Sequence, residues 1–366
     1  MYLAPSASNF RDKGISNEEL LQFFDSGRNL YFGLNSMTKN FGRDMFKEFG
    51  AQLYPLKSVV SGGSGIEIEG VSTDELSFSS NINEEAKKRI VEVSGDIAYL
   101  GSGMKIDPAN EYIFPLLKGT KDMKAEIPSK IKRKQIERNI YGEDIVLVSG
   151  YQSRYSQRAV LSGSIEMCSD KFIKATQTGK SLTTSPNYQF CIETLRWNFQ
   201  QKSVLKMENF SHSLVDKSLV ERGLQKEQEY KLKDEIQVSF DLYEKVDNKW
   251  VPFHTDDVSF EFIMLHPWAI ETLKNTEGAH YRVQFHVPDH NGVYKFKLDY
   301  NKLGLSRVYY EEIAPVRVNN HDEFPTYAFS AYPYFASVYI IIAATVLFTV
   351  SYIMTSDQKV KKVKID

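Results

Sequence analysis

One stretch near the C-terminal end constrains everything this chain can become. Residues Tyr334 to Met354 read Tyr-Phe-Ala-Ser-Val-Tyr-Ile-Ile-Ile-Ala-Ala-Thr-Val-Leu-Phe-Thr-Val-Ser-Tyr-Ile-Met, and no charged residue lies between Glu323 and Asp357. At a rise of about 1.5 Å per residue, such a helix is ~30 Å long, the thickness of a bilayer's hydrocarbon core. A helix also pairs every backbone N–H and C=O internally, as lipid demands. The flanks orient it. Lys359, Lys361, Lys362 and Lys364 follow, whereas Tyr327, Tyr332, Pro333 and Tyr334 precede. Lysines mark the cytoplasmic side of a span and tyrosines suit its interface. The sequence therefore predicts a single-pass protein with a membrane helix at 334–354, a cytoplasmic tail at 355–366 and its bulk on the other side.

The N-terminus does not match that plan on its face. Met1 to Asn9 has neither a basic leader nor an apolar core, so it does not read as a signal peptide. Either the start of the chain is missing, or the anchor inserts after synthesis with its tail in the lumen. The lysines of the tail argue against the second option.

Two modules precede the span. Ser16 and Glu19 form a capping box for a helix ending at Gly27, with Leu20, Leu21, Phe23 and Phe24 as its apolar residues. Asn29–Leu34 reads as a buried strand, Thr38–Phe49 as a helix, and Ala51–Tyr54 as the next strand. Asp144–Gly150 and Arg158–Ser164 are further strands, and Asn187–Phe199 is an amphipathic helix. This alternation predicts an α/β domain over 1–201 with a largely parallel sheet. It opens on a helix, as though a first strand were missing. From Ser203 the period changes to two: Ile236, Val238, Phe240 and Leu242 alternate with polar residues, as do Tyr294, Phe296, Leu298 and Tyr300. Similar runs cover 257–264, 280–287 and 307–312. They predict an antiparallel β-sandwich over 202–318, followed by a connector at 319–333.

Composition narrows the function. A net charge of −2 disfavours electrostatic binding of nucleic acid. The two cysteines, Cys168 and Cys191, are too few for a disulfide-stapled scaffold. They are either bonded in an oxidising lumen or two separate buried thiols. Ser61–Gly65 is glycine-rich but lacks the spacing of a phosphate cradle. The seven histidines show no metal-ligand spacing, and Pro288 keeps His286 and His290 off a common helix. Cys168 lies in Ser-Ile-Glu-Met-Cys-Ser-Asp, with no histidine nearby in sequence, which favours a structural cysteine over a nucleophile. No catalytic, metal or cofactor site emerges.

Three lesser signals remain. Ser337, Ala344 and Ser351 recur one heptad apart on the membrane helix, where small residues permit close helix packing. Lys362 and Lys364 stand in the Lys-x-Lys-x-x form of a retrieval signal for the endoplasmic reticulum. Asn209-Phe-Ser211 is a sequon for N-glycosylation.

Several stretches together resemble one family. They include Leu3–Ser6, Asn29–Leu34, Leu100–Met104, Asp107–Asn110, Leu161–Ile165, Asn187-Tyr188 and Leu195-Arg-Trp197. The most specific are Gly292-Val-Tyr-Lys-Phe-Lys-Leu-Asp-Tyr-Asn-Lys-Leu-Gly304 and Ser330-Ala-Tyr-Pro-Tyr-Phe-Ala-Ser337. In these the chain resembles the 48-kDa/Wbp subunit of the oligosaccharyltransferase complex, over essentially its whole length. The resemblance implies an amidotransferase-like N-terminal domain without a catalytic cysteine, and a non-catalytic role in N-glycosylation. It also implies partners: the multispanning catalytic subunit, which uses a dolichol-linked donor, and ribophorin-II/Swp-like and Dad/Ost2-like subunits, within the membrane lipid. The family begins with a signal peptide and a first strand that are not found here, as in a truncated gene model or fragment. Two other classes compete. One is a hydrolase using Cys168, which needs a histidine beside that sulfur; the other is a cell-surface adhesion or receptor protein.

Overall fold

A computed structural model of the chain describes residues 16–62, 68, 71, 75–126, 139–178, 181–221, 229–246, 248–321, 323 and 328–359. The retrieval lysines Lys362 and Lys364, most of the glycine-rich Ser61–Gly65 stretch and the N-terminal Leu3–Ser6 motif lie outside these residues.

The first module is built on a mixed sheet. Its strands run in the order Leu30–Gly33, Arg158–Ser162, Val146–Gln152, Met104–Ile106 and Ala51–Leu53, with Ile113–Lys118 also paired to Val146–Gln152. Side chains alternate across the sheet. Leu30, Phe32, Ala159 and Leu161 face the helices Asn17–Asp25 and Asn40–Glu48, meeting Leu20, Phe24, Met45 and Phe46. Tyr31 and Val160 face the other way, toward Phe190 and Trp197 of the helix Pro186–Asn198. Helices thus cover both faces. Local signals set their ends. Ser16 and Glu19 close the expected capping box, and Ser185 accepts the Tyr188 N–H ahead of Pro186 in the first turn.

The expected largely parallel sheet is not what forms. Only Leu30–Gly33 and Arg158–Ser162 pair in parallel, and the other ladders of this sheet are antiparallel. Connection length explains one of these ladders, the pairing of Val146–Gln152 with Arg158–Ser162. A parallel pair needs a crossover of a dozen residues or so, and the short turn from Gln152 to Arg158 permits only a hairpin.

The second module packs two sheets around one core. One sheet orders Val204–Leu214, Glu235–Val246, His280–His286 and Lys274–Glu277, with Lys249–Pro252 added to Glu235–Val246. The other orders Tyr230–Lys231, Val308–Arg317, Gly292–Tyr300, Ser259–Ile263 and Pro267–Thr272. Phe240, Tyr281, Phe260, Phe262 and Phe296 fill the space between them. The sandwich is antiparallel except for the short parallel pair of Tyr230–Lys231 with Val308–Arg317.

A single long helix, Tyr332–Lys359, ends the described chain. It is the one described helix long and apolar enough to cross a membrane. Its side chains are exposed from Tyr332 to Thr355, as expected of a surface meant for lipid.

Candidate functional site

The junction between the two modules is densely hydrogen-bonded, and a buried arginine stands at its centre. Arg158 opens a central strand and is fully buried. Its Nη1 donates to the carbonyls of Trp197 at 2.7 Å and Lys202 at 2.9 Å. Its Nη2 donates to those of Ser203 at 2.5 Å and Gly304 at 3.4 Å. The guanidinium also stacks over the Trp197 ring at 4.9 Å. Burial draws its pKa down to about 9, which still leaves it charged at neutral pH. A planar fork of donors suits this task, because it satisfies carbonyls from three segments at once.

The second module reaches this site through the loop between Gly292–Tyr300 and Val308–Arg317. Trp197 Nε1 donates to Gly304 O at 2.8 Å, Gln152 donates to Leu305 O, and Arg89 donates to Leu303 O at 3.1 Å. Ser306 N donates to Ser203 O at 3.1 Å, and the Ser306 hydroxyl accepts from Leu205 N at 2.7 Å. Two stretches that carried the family resemblance, Leu195–Trp197 and Gly292–Gly304, therefore meet here.

Beside the junction lies a polar cleft of about 480 Å³, lined by Tyr112, Gln152, Arg154, Asp299, Lys302 and Arg307. Its strongest feature is internal: Arg307 grips Asp299 with two bonds of 2.7 Å, which hold that carboxylate below its ordinary pKa. Such a fork-to-carboxylate pair fixes the loop and leaves neither partner free for acid–base work.

Cys168 and Cys191 form a disulfide across a separation of 23 residues. It joins the turn Glu166–Cys168 to the helix Pro186–Asn198. Asn187 reinforces the same contact: its amide donates to Ala98 O at 2.8 Å and Met167 O at 2.9 Å, and accepts from Ala98 N at 2.9 Å. Of the two readings of the cysteines, the bonded one holds. The bond removes the thiol that a nucleophilic role requires. An apolar pocket of about 390 Å³ opens beside it, lined by Tyr31, Ile165, Leu195 and Phe199, and the Tyr31 hydroxyl lies 3.8 Å from the Cys168 sulfur.

The other residues singled out from sequence are scattered. Asn209 lies exposed on Val204–Leu214 in a left-handed conformation, at a bulge, and its amide donates to Asp241 at 2.7 Å. Ser337, Ala344 and Ser351 lie on the long helix, and Ser337 bonds back to Tyr334 O at 2.7 Å. Sequence reasoning missed Arg158 as anything but a strand residue. A lone arginine among Ala, Val and Leu was the available signal, since a charge there must be buried with partners or break the strand.

At the far end of the sandwich, the strand Val308–Arg317 delivers the chain toward the membrane helix. Arg317 binds Glu323 through bonds of 2.7 and 2.9 Å, and Lys231 binds it at 2.9 Å. Asn320 N adds a bond of 2.8 Å. The Arg317 guanidinium, then the Asn320 N–H and Lys231, hold the Glu323 carboxyl far below its ordinary range.

The sequence model of the OST48 N-terminal domain matches residues 1–201, and that of the OST48 middle domain matches residues 217–356. Among curated proteins, the chain is 26% identical to a dolichyl-diphosphooligosaccharide–protein glycosyltransferase 48 kDa subunit of Arabidopsis thaliana, over 96% of this chain and 80% of that protein. It is 28% identical to the 48 kDa subunit of Danio rerio, over 96% and 79%. It is 29% identical to the subunit wbp1 of Schizosaccharomyces pombe, over 95% and 79%.

Proposed function

The chain belongs to the OST48 family, and from that membership we propose that it is a non-catalytic subunit of an oligosaccharyltransferase, the complex that moves a preassembled glycan from a dolichol-linked donor to asparagine. The observation that carries this reading is the extent of the match, which takes in both modules and the long helix. The hydrolase and receptor readings have no comparable support.

The chain acts as a scaffold. Its Cys168 sulfur is tied up in a bond, Arg307 and Asp299 of its polar cleft hold each other, and Lys302 is paired with Asp257. Its modules are 1–201, related to amidotransferase-like α/β domains, and 202–318, followed by the connector 319–333, the span 334–354 and the tail 355–366. The lumenal modules face the endoplasmic reticulum, and the tail, with Lys362 and Lys364, faces the cytosol. Ser337, Ala344 and Ser351 form the face by which the span packs against neighbouring helices. The partners are the multispanning catalytic subunit and the ribophorin-II/Swp-like and Dad/Ost2-like subunits. Affinity capture of the full chain from mild-detergent membranes tests this. The reading requires those subunits in the captured material; a chain recovered alone, or at the cell surface, contradicts it.

A further inference from the structure

The sandwich has two ends, and the strand registers say what each one meets. Tyr300 pairs with Val308 at one end, and the loop beyond them is bonded to the first module. Gly292 pairs with Val316 at the other, where the chain leaves for the membrane helix. The Arg317–Glu323–Lys231 knot holds the connector against that exit end as far as Glu323. From Glu323 to Tyr332, even a fully extended chain reaches only ~30 Å. The point where the span enters the bilayer therefore lies within that distance of the exit end, whatever path the connector takes.

That end carries apolar side chains that the sandwich core does not use. Ile263 pairs with Lys295, and further out along the same two strands stand Leu265, in the turn before Pro267, and Val293. Leu265 is 86% exposed and Val293 61% exposed. Trp268, in the strand that follows the turn, is half-exposed and stacks on His290 of the neighbouring turn at 5.6 Å. The turn from Ile263 to Trp268 contains no Asp, Glu, Lys or Arg. Apolar tips beside a tryptophan, on a turn that itself carries no fixed charge, with Asp289 in the neighbouring turn and Lys295 two residues in from Val293, match the headgroup boundary, where an amphipathic ring meets both water and acyl chains.

We propose that the exit end of the sandwich rests on the bilayer, with Leu265, Trp268 and Val293 entering the headgroup region. The sandwich then stands upright between membrane and first module, held at three or more points instead of swinging on a single tether. This rests on the reading of Tyr332–Lys359 as a membrane span. The test uses the full chain in phosphatidylcholine nanodiscs, with acyl chains either plain or brominated near the headgroup end. Bromine quenches tryptophan on contact, and the chain has three tryptophans. Trp197 is fully buried, and Trp250 lies on the strand paired to Tyr243–Val246, toward the opposite end.

We expect the brominated lipid to remove part of the emission, and Trp268→Phe to abolish that quenchable part. Leu265→Asp, at a site with no packing to lose, lowers the quenching and serves if Trp268→Phe does not fold. Disc-bound chain with equal emission in plain and brominated lipid overturns the proposal, as does quenching unchanged in either variant. Equal emission is also the result if a protein partner, and not lipid, covers this face. A chain that does not enter discs at all overturns the membrane span together with the proposal.

Discussion

Trp197 donates its indole N–H to the carbonyl of Gly304 at 2.8 Å, joining the last full helix of the first module to a loop of the second. The bond is buried, and Arg158 lies over the same indole ring while donating to the same carbonyl. The two modules are thus keyed together by a shared polar cluster, in which four carbonyls take up the Arg158 Nη donors while its buried Nε has no partner among the described residues, and this distinguishes the junction from a flexible linker.

Removing that key has a stated cost. Arg158→Ala takes one donor from each of the carbonyls of Trp197, Lys202 and Ser203, of which Trp197 keeps the Gln200 N–H and Ser203 the Ser306 N–H, and it opens a void under the Trp197 ring, which together should destabilise the protein by about 3 kcal/mol. Trp197→Phe keeps most of the packing and loses one bond, so about 1–2 kcal/mol is expected. Denaturant unfolding gives both values. Limited proteolysis should show new cleavage near Lys202 in Arg158→Ala and much less in Trp197→Phe.

The disulfide makes a separate contribution. Closing a loop of this length restricts the unfolded chain by about 3 kcal/mol. Cys168→Ser with Cys191→Ser should lower stability by that order while leaving the junction bonds in place. Mass spectrometry of the unreduced protein should find the Cys168–Cys191 peptide pair and no thiol available for alkylation.

Acid should loosen the sandwich through Asp257. Its carboxylate is partly desolvated, yet Thr255, Lys302 and Tyr300 bond to it, and their balance lowers its pKa from 3.8 to about 2. A folded pKa below the unfolded one gives stability that is complete above about pH 4. That stability fades as the pH falls toward about 2. Asp257→Asn should flatten this part of a stability–pH curve measured by denaturant midpoints. An unchanged acid limb would remove Asp257 from the account.

The membrane helix makes a prediction about assembly. Ser337→Leu with Ala344→Leu adds bulk where a neighbouring helix is to approach closely. The soluble modules should unfold as before, while co-purification of partner subunits in detergent falls. Full retention of the partners would remove the small-residue face from the docking model.

Much of this architecture is legible in the sequence. The capping box at Ser16 and Glu19, the period-two runs at Ile236–Leu242 and Tyr294–Tyr300, and the uncharged span all encode local structure, and each appears where its residues predict it. Strand direction is not local. Val146–Gln152 and Arg158–Ser162 look like any buried strands, and only their short connection makes them antiparallel. The strand Val204–Leu214 escapes a period-two search because a bulge at Asn209 breaks its register and both its faces are partly exposed. Arg158 and Gly304 are far apart in the chain, so no local pattern reveals that they share a bond. The pairing of Cys168 with Cys191 is likewise a matter of how the turn and helix pack, which spacing alone leaves open.

The central claim is that this chain supports glycan transfer without performing it. The direct measurement compares the isolated full chain in detergent with the complex captured through it, each supplied with a dolichol-linked oligosaccharide and an asparagine acceptor peptide. The account predicts transfer by the captured complex and none by the isolated chain. Turnover by the isolated chain, or a captured complex that transfers nothing, would contradict it.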